Sequence, residues 1–146
     1  MANSLFTVGY EGLDIDSFIA QLKEYGINCL LDVREIPLSR KKGFSKTALS
    51  QKLSEEAISY VHFKELGSPK DVRSQLKSTL DYGTFFGEMD KHLATKQEVI
   101  EEAYDYISKN TCCLMCFEHL AATCHRKIVA RKIKERDGNG LKITNI

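Results

Sequence analysis

Cys124-His125-Arg126 is the stretch of this chain best equipped for chemistry. It stands where an apolar run ends and a basic amphipathic segment begins, a helix expected from about Thr123 to Arg136. A thiol at such a junction meets unpaired helix N–H groups, the positive end of the helix dipole, an imidazole and a guanidinium. All four favour thiolate over thiol, which makes Cys124 the expected nucleophile or acid/base. The competing reading is a small buried cysteine that merely starts the helix. His125 is the adjacent candidate base. Neighbours on a helix point about 100° apart, however, so His62 or His119 is the alternative partner.

Arg126 falls in the first helical turn, where its charge opposes the dipole. That placement points to an anionic ligand, with a salt bridge to Glu118 or Asp32 as the competing use. Arg34 and Arg40, followed by Lys41 and Lys42, extend the same positive rim. Tyr10 can donate a hydrogen bond to a ligand, and His62 stands at the end of the third apolar run. Three carboxylates follow apolar runs and can move protons if partly desolvated: Glu11, Asp32 and Glu118. For Asp32 the use as an anchor for arginine is the stronger reading. Arg126, Arg34, Tyr10, Arg40 and His62 together form a substrate-binding set that suits phosphate.

Cys113-x2-Cys116-x2-His119-x4-Cys124 has superficial metal-ligand spacing. Chelation by Cys-x2-Cys needs a turn that aims both sulfurs one way. Cys113 and Cys116 lie in an apolar run instead, and residues three apart in a strand face opposite sides. No metal and no cofactor is expected on this reading. Five cysteines, with Cys112 and Cys113 adjacent, make a poor disulfide framework and fit reduced thiols in a cytoplasm.

The elements that must position these groups alternate between buried strands and amphipathic helices. Leu5–Gly9 reads as a strand. A helix follows, capped by Asp14, with Ile15, Phe18, Ile19 and Leu22 inward and Gly26 at its end. Residues 27–33 form a second strand, and a loop carrying Pro37, Arg40 and Gly43 leads to a helix capped by Ser45 that buries Ala48, Leu49 and Leu53. Ile58–Phe63 alternates as a third strand. Ser68-Pro69 opens one helix, Phe86, Met89 and Leu93 mark another, and Thr95–Glu98 is a capping-box pattern for the next. Cys112–Phe117 is a wholly apolar fourth strand, and Leu141–Ile146 is a short fifth. The expected fold is one α/β domain over residues 1–146, a three-layer arrangement with a mostly parallel sheet of about four to five strands flanked by helices. Residues 64–95 carry no strand signal and read as a lid or a helical flank. Ligands of such sheets bind beyond the carboxyl ends of the strands, where four polar clusters fall: Tyr10-Glu11, Asp32 with Arg34, His62, and Glu118 followed by Cys124-His125-Arg126.

Net charge is only +1, so any polyanion must be held by local patches rather than by bulk charge. The basic side of the last helix, Lys127, Arg131, Lys132, Lys134 and Arg136, is one such patch, with a solvated face as its default role. The first residues, Met1 to Phe6, have neither a charged n-region nor a long apolar stretch. No signal peptide, membrane span or membrane partner is therefore expected, and a cytoplasmic location is.

Taken together, these pieces resemble the family called domain of unknown function 488 over essentially the whole length. The resemblance rests on Thr7-Val8-Gly9-Tyr10-Glu11-Gly12, Asp32-Val33-Arg34 with Pro37 and Ser39-Arg40, and Gly43-Phe44-Ser45. Tyr60-Val61-His62, Leu66-Gly67, Cys116-Phe117-Glu118 and Cys124-His125-Arg126 complete it. Ala121 or Ala122 stands where the family usually has proline. The resemblance implies a compact α/β fold and a site drawn from these motifs, with no particular reaction. Rhodaneses and tyrosine phosphatases also place a cysteine at a strand-to-helix junction, but their Cys-x5-Arg loop is not matched here. The expected activity is that of an enzyme acting on an anionic, phosphate-bearing small molecule or nucleic acid. The alternative is a non-catalytic binding module in which Cys124 is structural.

Overall fold

The computed structural model describes residues 4–146, so the reading of Met1 to Asn3 lies outside the described residues. Strand β1 (Ser4–Gly9) leads to α1 (Ile15–Glu24), β2 (Cys29–Asp32), α2 (Lys46–Glu55) and β3 (Ser59–His62). A 3-10 turn (Lys64–Leu66), α3 (Lys70–Thr79), α4 (Tyr82–Ala94) and α5 (Gln97–Lys109) precede β4 (Cys112–Cys116), and a second 3-10 turn (Ala121–Thr123) follows it. The chain closes with α6 (Arg126–Asp137) and β5 (Lys142–Asn145). All five strands are parallel, in the order β3-β2-β4-β1-β5. No helix among the described residues is long and apolar enough to cross a membrane.

Side chains alternate across the sheet because the strand period is two. Cys112, Leu114 and Cys116 of β4 face a core that contains Met89, Ile100, Ala103, Ile128, Val129 and Ile133, from α4, α5 and α6. Cys113 and Met115 face the opposite core, built with Phe18, Leu22, Leu49 and Leu53 from α1 and α2. The three-layer α/β reading therefore holds. So does the expectation that Cys113 and Cys116 point apart.

Asp14 caps α1 as its spacing predicts, with Oδ1 accepting from the Ser17 N–H at 2.7 Å, and Gly26 follows with φ +69°. Other boundaries move. Ala48 is exposed, because only Leu49 and Leu53 lie on the inner face of α2. Phe85 rather than Phe86 is fully inward in α4. The capping box at Thr95 does not form: Thr95 closes α4, its hydroxyl donating to the His92 carbonyl, and α5 starts at Gln97. Residues 64–95 are a helical flank, with Phe85, Met89 and Leu93 fixed in the core.

Connections from β1 and β2 run through α1 and α2 on one face, whereas β4 continues into α6 on the other. Adjacent strand ends that send their chains to opposite faces leave a crevice between them. Here it lies at the carboxyl ends of β2 and β4. Register aligns the rim closely: Asp32 pairs with His62 and Met115, and Gly9 pairs with Cys116.

Candidate functional site

A cavity of about 660 Å³ opens at that crevice. Tyr10, Arg34, Arg40, Glu118 and His125 line it, as do Cys116, Phe117, Glu35, Ser68, Arg73 and Lys77. The size suits a small-molecule ligand. Five residues expected at the site therefore share one cavity. The others lie elsewhere.

Asp32 is fully buried and works as an anchor. Its Oδ1 accepts from Arg34 Nε at 2.9 Å and from the Arg34 backbone N–H at 3.1 Å, and its Oδ2 accepts from Arg34 Nη2 at 2.7 Å. The Tyr60 hydroxyl donates to the same carboxylate. Arg34 Nη1 then donates to the Phe44 carbonyl at 2.7 Å and to Tyr10 Oη at 3.2 Å. Burial disfavours the Arg34 charge, but the Asp32 carboxylate outweighs it and holds the arginine above its ordinary pKa. Both Asp32 oxygens are occupied by the arginine fork, the anchoring use that the sequence reading favoured over proton transfer. His62 is half-buried beside this pair, with Nε2 2.7 Å from the Arg34 carbonyl oxygen, and does not line the cavity.

Glu11 is also displaced. It accepts from the His119 N–H at 3.0 Å and borders a separate cavity near Gly9 and Gln21, so it ties two loops together and stands outside the main cavity.

Arg126 is 0% exposed. Its Nε donates to Thr7 Oγ1 at 3.2 Å, Nη1 to Cys116 Sγ at 3.0 Å and to the Glu118 carbonyl, and Nη2 to the His119 carbonyl at 3.0 Å. It staples the loop after β4 onto β1 and, being buried, does not line the cavity. The expected salt bridge to Glu118 or Asp32 is absent as well; the acceptors are a hydroxyl, a sulfur and carbonyls.

Cys124 is 1% exposed and sits in extended backbone just before α6 (φ −112°, ψ 144°). Its sulfur accepts from the Arg126 N–H at 3.5 Å, as expected at a helix start. Because Cys124 is outside the helix, the angular argument separating it from His125 does not apply: His125 Nδ1 is 3.7 Å from Cys124 Sγ. The sulfurs of Cys124 and Cys116 pair as a disulfide, with Cα atoms 7.7 Å apart. The structure thus pairs Cys116 with Cys124, where the sequence pointed to five reduced thiols with Cys124 standing free. The physical cause is the strand period, which turns Cys116 onto the face that α6 covers. His125 Nε2 lies 2.6 Å from the Val33 carbonyl oxygen. Burial lowers the His125 pKa below its ordinary value, against the opposing pull of that carbonyl, and keeps the imidazole neutral.

Arg73, Lys77 and Phe117 line the cavity although the sequence reading gave none of them a site role. Arg73 and Lys77 are one turn apart on α3, a spacing that could have signalled a basic stripe. Arg73 Nη1 pairs with Glu35 Oε1 at 2.8 Å. Phe117, 44% exposed, stands at the cavity edge with Ile36 and with Leu38, which is 71% exposed. Among the described residues Arg40 and Lys77 have no carboxylate partner. The basic face of α6 is largely committed: Arg131 and Lys132 pair with Asp90, and Arg136 with Glu101. Lys41 donates to the Leu13 carbonyl at 2.6 Å.

Comparison with curated proteins and with solved structures returned no match. A family model, by contrast, matches residues 14–133, which take in the Asp32-Val33-Arg34, Cys116-Phe117-Glu118 and Cys124-His125-Arg126 pieces but not the segment Thr7 to Gly12. The chain thus belongs to the family described as domain of unknown function DUF488.

Proposed function

We propose that this protein is an enzyme acting on an anionic, phosphate-bearing substrate, a nucleotide or a nucleic-acid segment, in the cavity between the ends of β2 and β4. The observation that carries this reading is the make-up of the cavity wall. Arg40 and Lys77 line it without carboxylate partners, Arg73 stands beside them, and the exposed faces of Phe117, Ile36 and Leu38 border the same space. Unpaired cations recognise phosphate oxygens, and an exposed ring beside them offers a stacking surface for a base.

In this reading Arg40, Lys77 and Arg73 hold the anion, while Arg34, Asp32 and Arg126 keep the rim rigid. Glu118 is the exposed carboxylate of the cavity, and it moves the proton, with the neutral His125 behind it. The test is nucleotide and oligonucleotide binding followed by turnover assays. Arg40→Glu with Lys77→Glu is expected to abolish binding, whereas Glu118→Gln keeps binding and loses turnover. Unchanged affinity in the double variant overturns the assignment of the cavity.

The burial of Cys124 favours a second reading, a non-catalytic binding module. It predicts the same loss of binding in Arg40→Glu, with no turnover of any bound nucleotide by the wild-type protein.

A further inference from the structure

Arg126 poses an electrostatic problem. It is a fully buried cation with no carboxylate among its hydrogen-bond acceptors. A buried charge is costly unless a counter-charge lies close by. The sulfurs next to it supply one if they are thiolates.

One ligand atom each from Cys116, Glu118, Cys124 and His125 all lie within 4.8 Å of one another. The Cα separation of 7.7 Å between the two cysteines is wider than the roughly 4.4–6.8 Å that suits a disulfide. Backbone spacing of this kind lets two thiolates share an ion between them. The imidazole is already set for the task. A carbonyl oxygen can only accept, so His125 Nε2 carries the proton toward Val33 and the lone pair of Nδ1 faces the sulfurs. Metal-bound histidines are oriented in this way, the other ring nitrogen donating to a carbonyl or carboxylate. N–H groups also point at both sulfurs, from the Arg126 backbone to Cys124 and from Arg126 Nη1 to Cys116.

We propose that Cys116, Cys124, His125 and Glu118 form a zinc site at the wall of the cavity. The pair must first be in the dithiol form. A dithiol or phosphine reductant supplies the two electrons that break the S–S bond, and each sulfur takes up a proton. Zinc then displaces both protons. Two thiolates, one carboxylate, one Zn²⁺ and the Arg126 guanidinium sum to zero, which resolves the buried charge. Two sulfurs with an imidazole select zinc over hard cations. The ligand set differs from the sequence spacing Cys113-Cys116-His119-Cys124: Cys113 faces the other core, and His119 is exposed.

Cys116, Glu118 and His125 line the cavity, and Glu118 is the exposed ligand. Substrate oxygen or water exchanges with it at the metal, as in catalytic zinc sites that keep one position open. That catalytic use rests on reading the cavity as a substrate pocket; binding of the ion does not.

The test uses full-length protein prepared under a phosphine reductant, with zinc content measured by mass spectrometry and cobalt used as a spectroscopic probe. One zinc per chain is expected, with thiolate-to-cobalt charge-transfer bands in the wild-type protein, a readout that needs no variant to fold. Cys116→Ser, Cys124→Ser and His125→Gln should each weaken zinc binding by roughly tenfold or more, and Cys113→Ser should leave it unchanged. A reduced, folded wild-type protein that retains no zinc and gives no cobalt–thiolate bands overturns the site, as does an equal loss in Cys113→Ser. Zinc bound at full occupancy with no affinity for any nucleotide would remove the cavity reading and leave the metal site standing. Nucleotide binding without zinc would do the reverse.

Discussion

Gly9 and Gly67 show how little room the rim leaves for a single atom. A Cβ on Gly9 would lie 1.6 Å from the Glu118 carbonyl oxygen, and one on Gly67 would lie 2.1 Å from the Glu35 N. In both cases the obstacle is backbone, which cannot rotate away. Gly9→Ala is expected to cost about 3 kcal/mol or more, at the upper end for overpacking, and to displace the loop that carries Glu118. Thermal unfolding and Arg126-dependent packing of that loop, followed by amide exchange at residues 117–120, check this. Asp32→Asn is a different kind of loss: it leaves Arg34 charged and buried without its partner. A destabilisation of roughly 3–5 kcal/mol is expected by denaturant unfolding. A cost below about 1 kcal/mol would mean that the Tyr10 and Phe44 contacts suffice to hold the arginine.

Among the elements, the end of α6 matters as much as its beginning. Asp137 accepts from the Tyr104 hydroxyl at 2.6 Å and from the backbone N–H groups of Asn139 and Leu141 at 3.0 Å, which turns the chain into β5. The Tyr104 bond first, then the two N–H groups, hold its pKa below the ordinary carboxylate value of 3.8. With the folded value depressed, the unfolded state binds the proton more readily. The stabilisation is therefore complete above the ordinary value and is lost as pH falls through the folded one. Asp137→Asn should flatten the acid limb of a stability-against-pH profile and release β5 first. Equal acid sensitivity in the variant would contradict this role. At the other end, α6 starts only at Arg126, which frees Cys124 to adopt the extended geometry that brings its sulfur to Cys116.

At the scale of the whole molecule, the cavity follows from strand order. β4 enters the sheet between β2 and β1, so loops that are far apart in sequence meet at one crevice. Arg40 comes from the loop after β2, Lys77 from α3 and Phe117 from the loop after β4. If phosphate is held there, Arg40→Ala and Lys77→Ala should each weaken oligonucleotide binding about tenfold, the equivalent of one charge-assisted hydrogen bond. Each should also reduce the slope of log K against log salt by about 0.7 for a single strand. A salt slope unchanged by both substitutions would place the polyanion elsewhere.

The α/β class, the buried strands and the capped α1 were legible from local pattern, because burial on both faces of a parallel strand and the period of an amphipathic helix are properties of a few consecutive residues. The opposed faces of Cys113 and Cys116 were legible for the same reason. Cys124-His125-Arg126 lies at the start of α6, as its pattern suggested, but the packing of its members was not legible. Whether Arg126 faces a ligand or staples a loop depends on Thr7 and on the carbonyls of Glu118 and His119, which only the folded chain brings to it. The convergence of Cys116 with Cys124, and of Lys77 with Arg40, likewise depends on how strands order themselves across the sheet. Amino-acid sequence by itself determined the elements and the polar residues that end the strands. Tertiary structure alone decided which polar groups are spent inside the protein and which face the cavity, because burial and hydrogen-bond partnership are set by long-range packing.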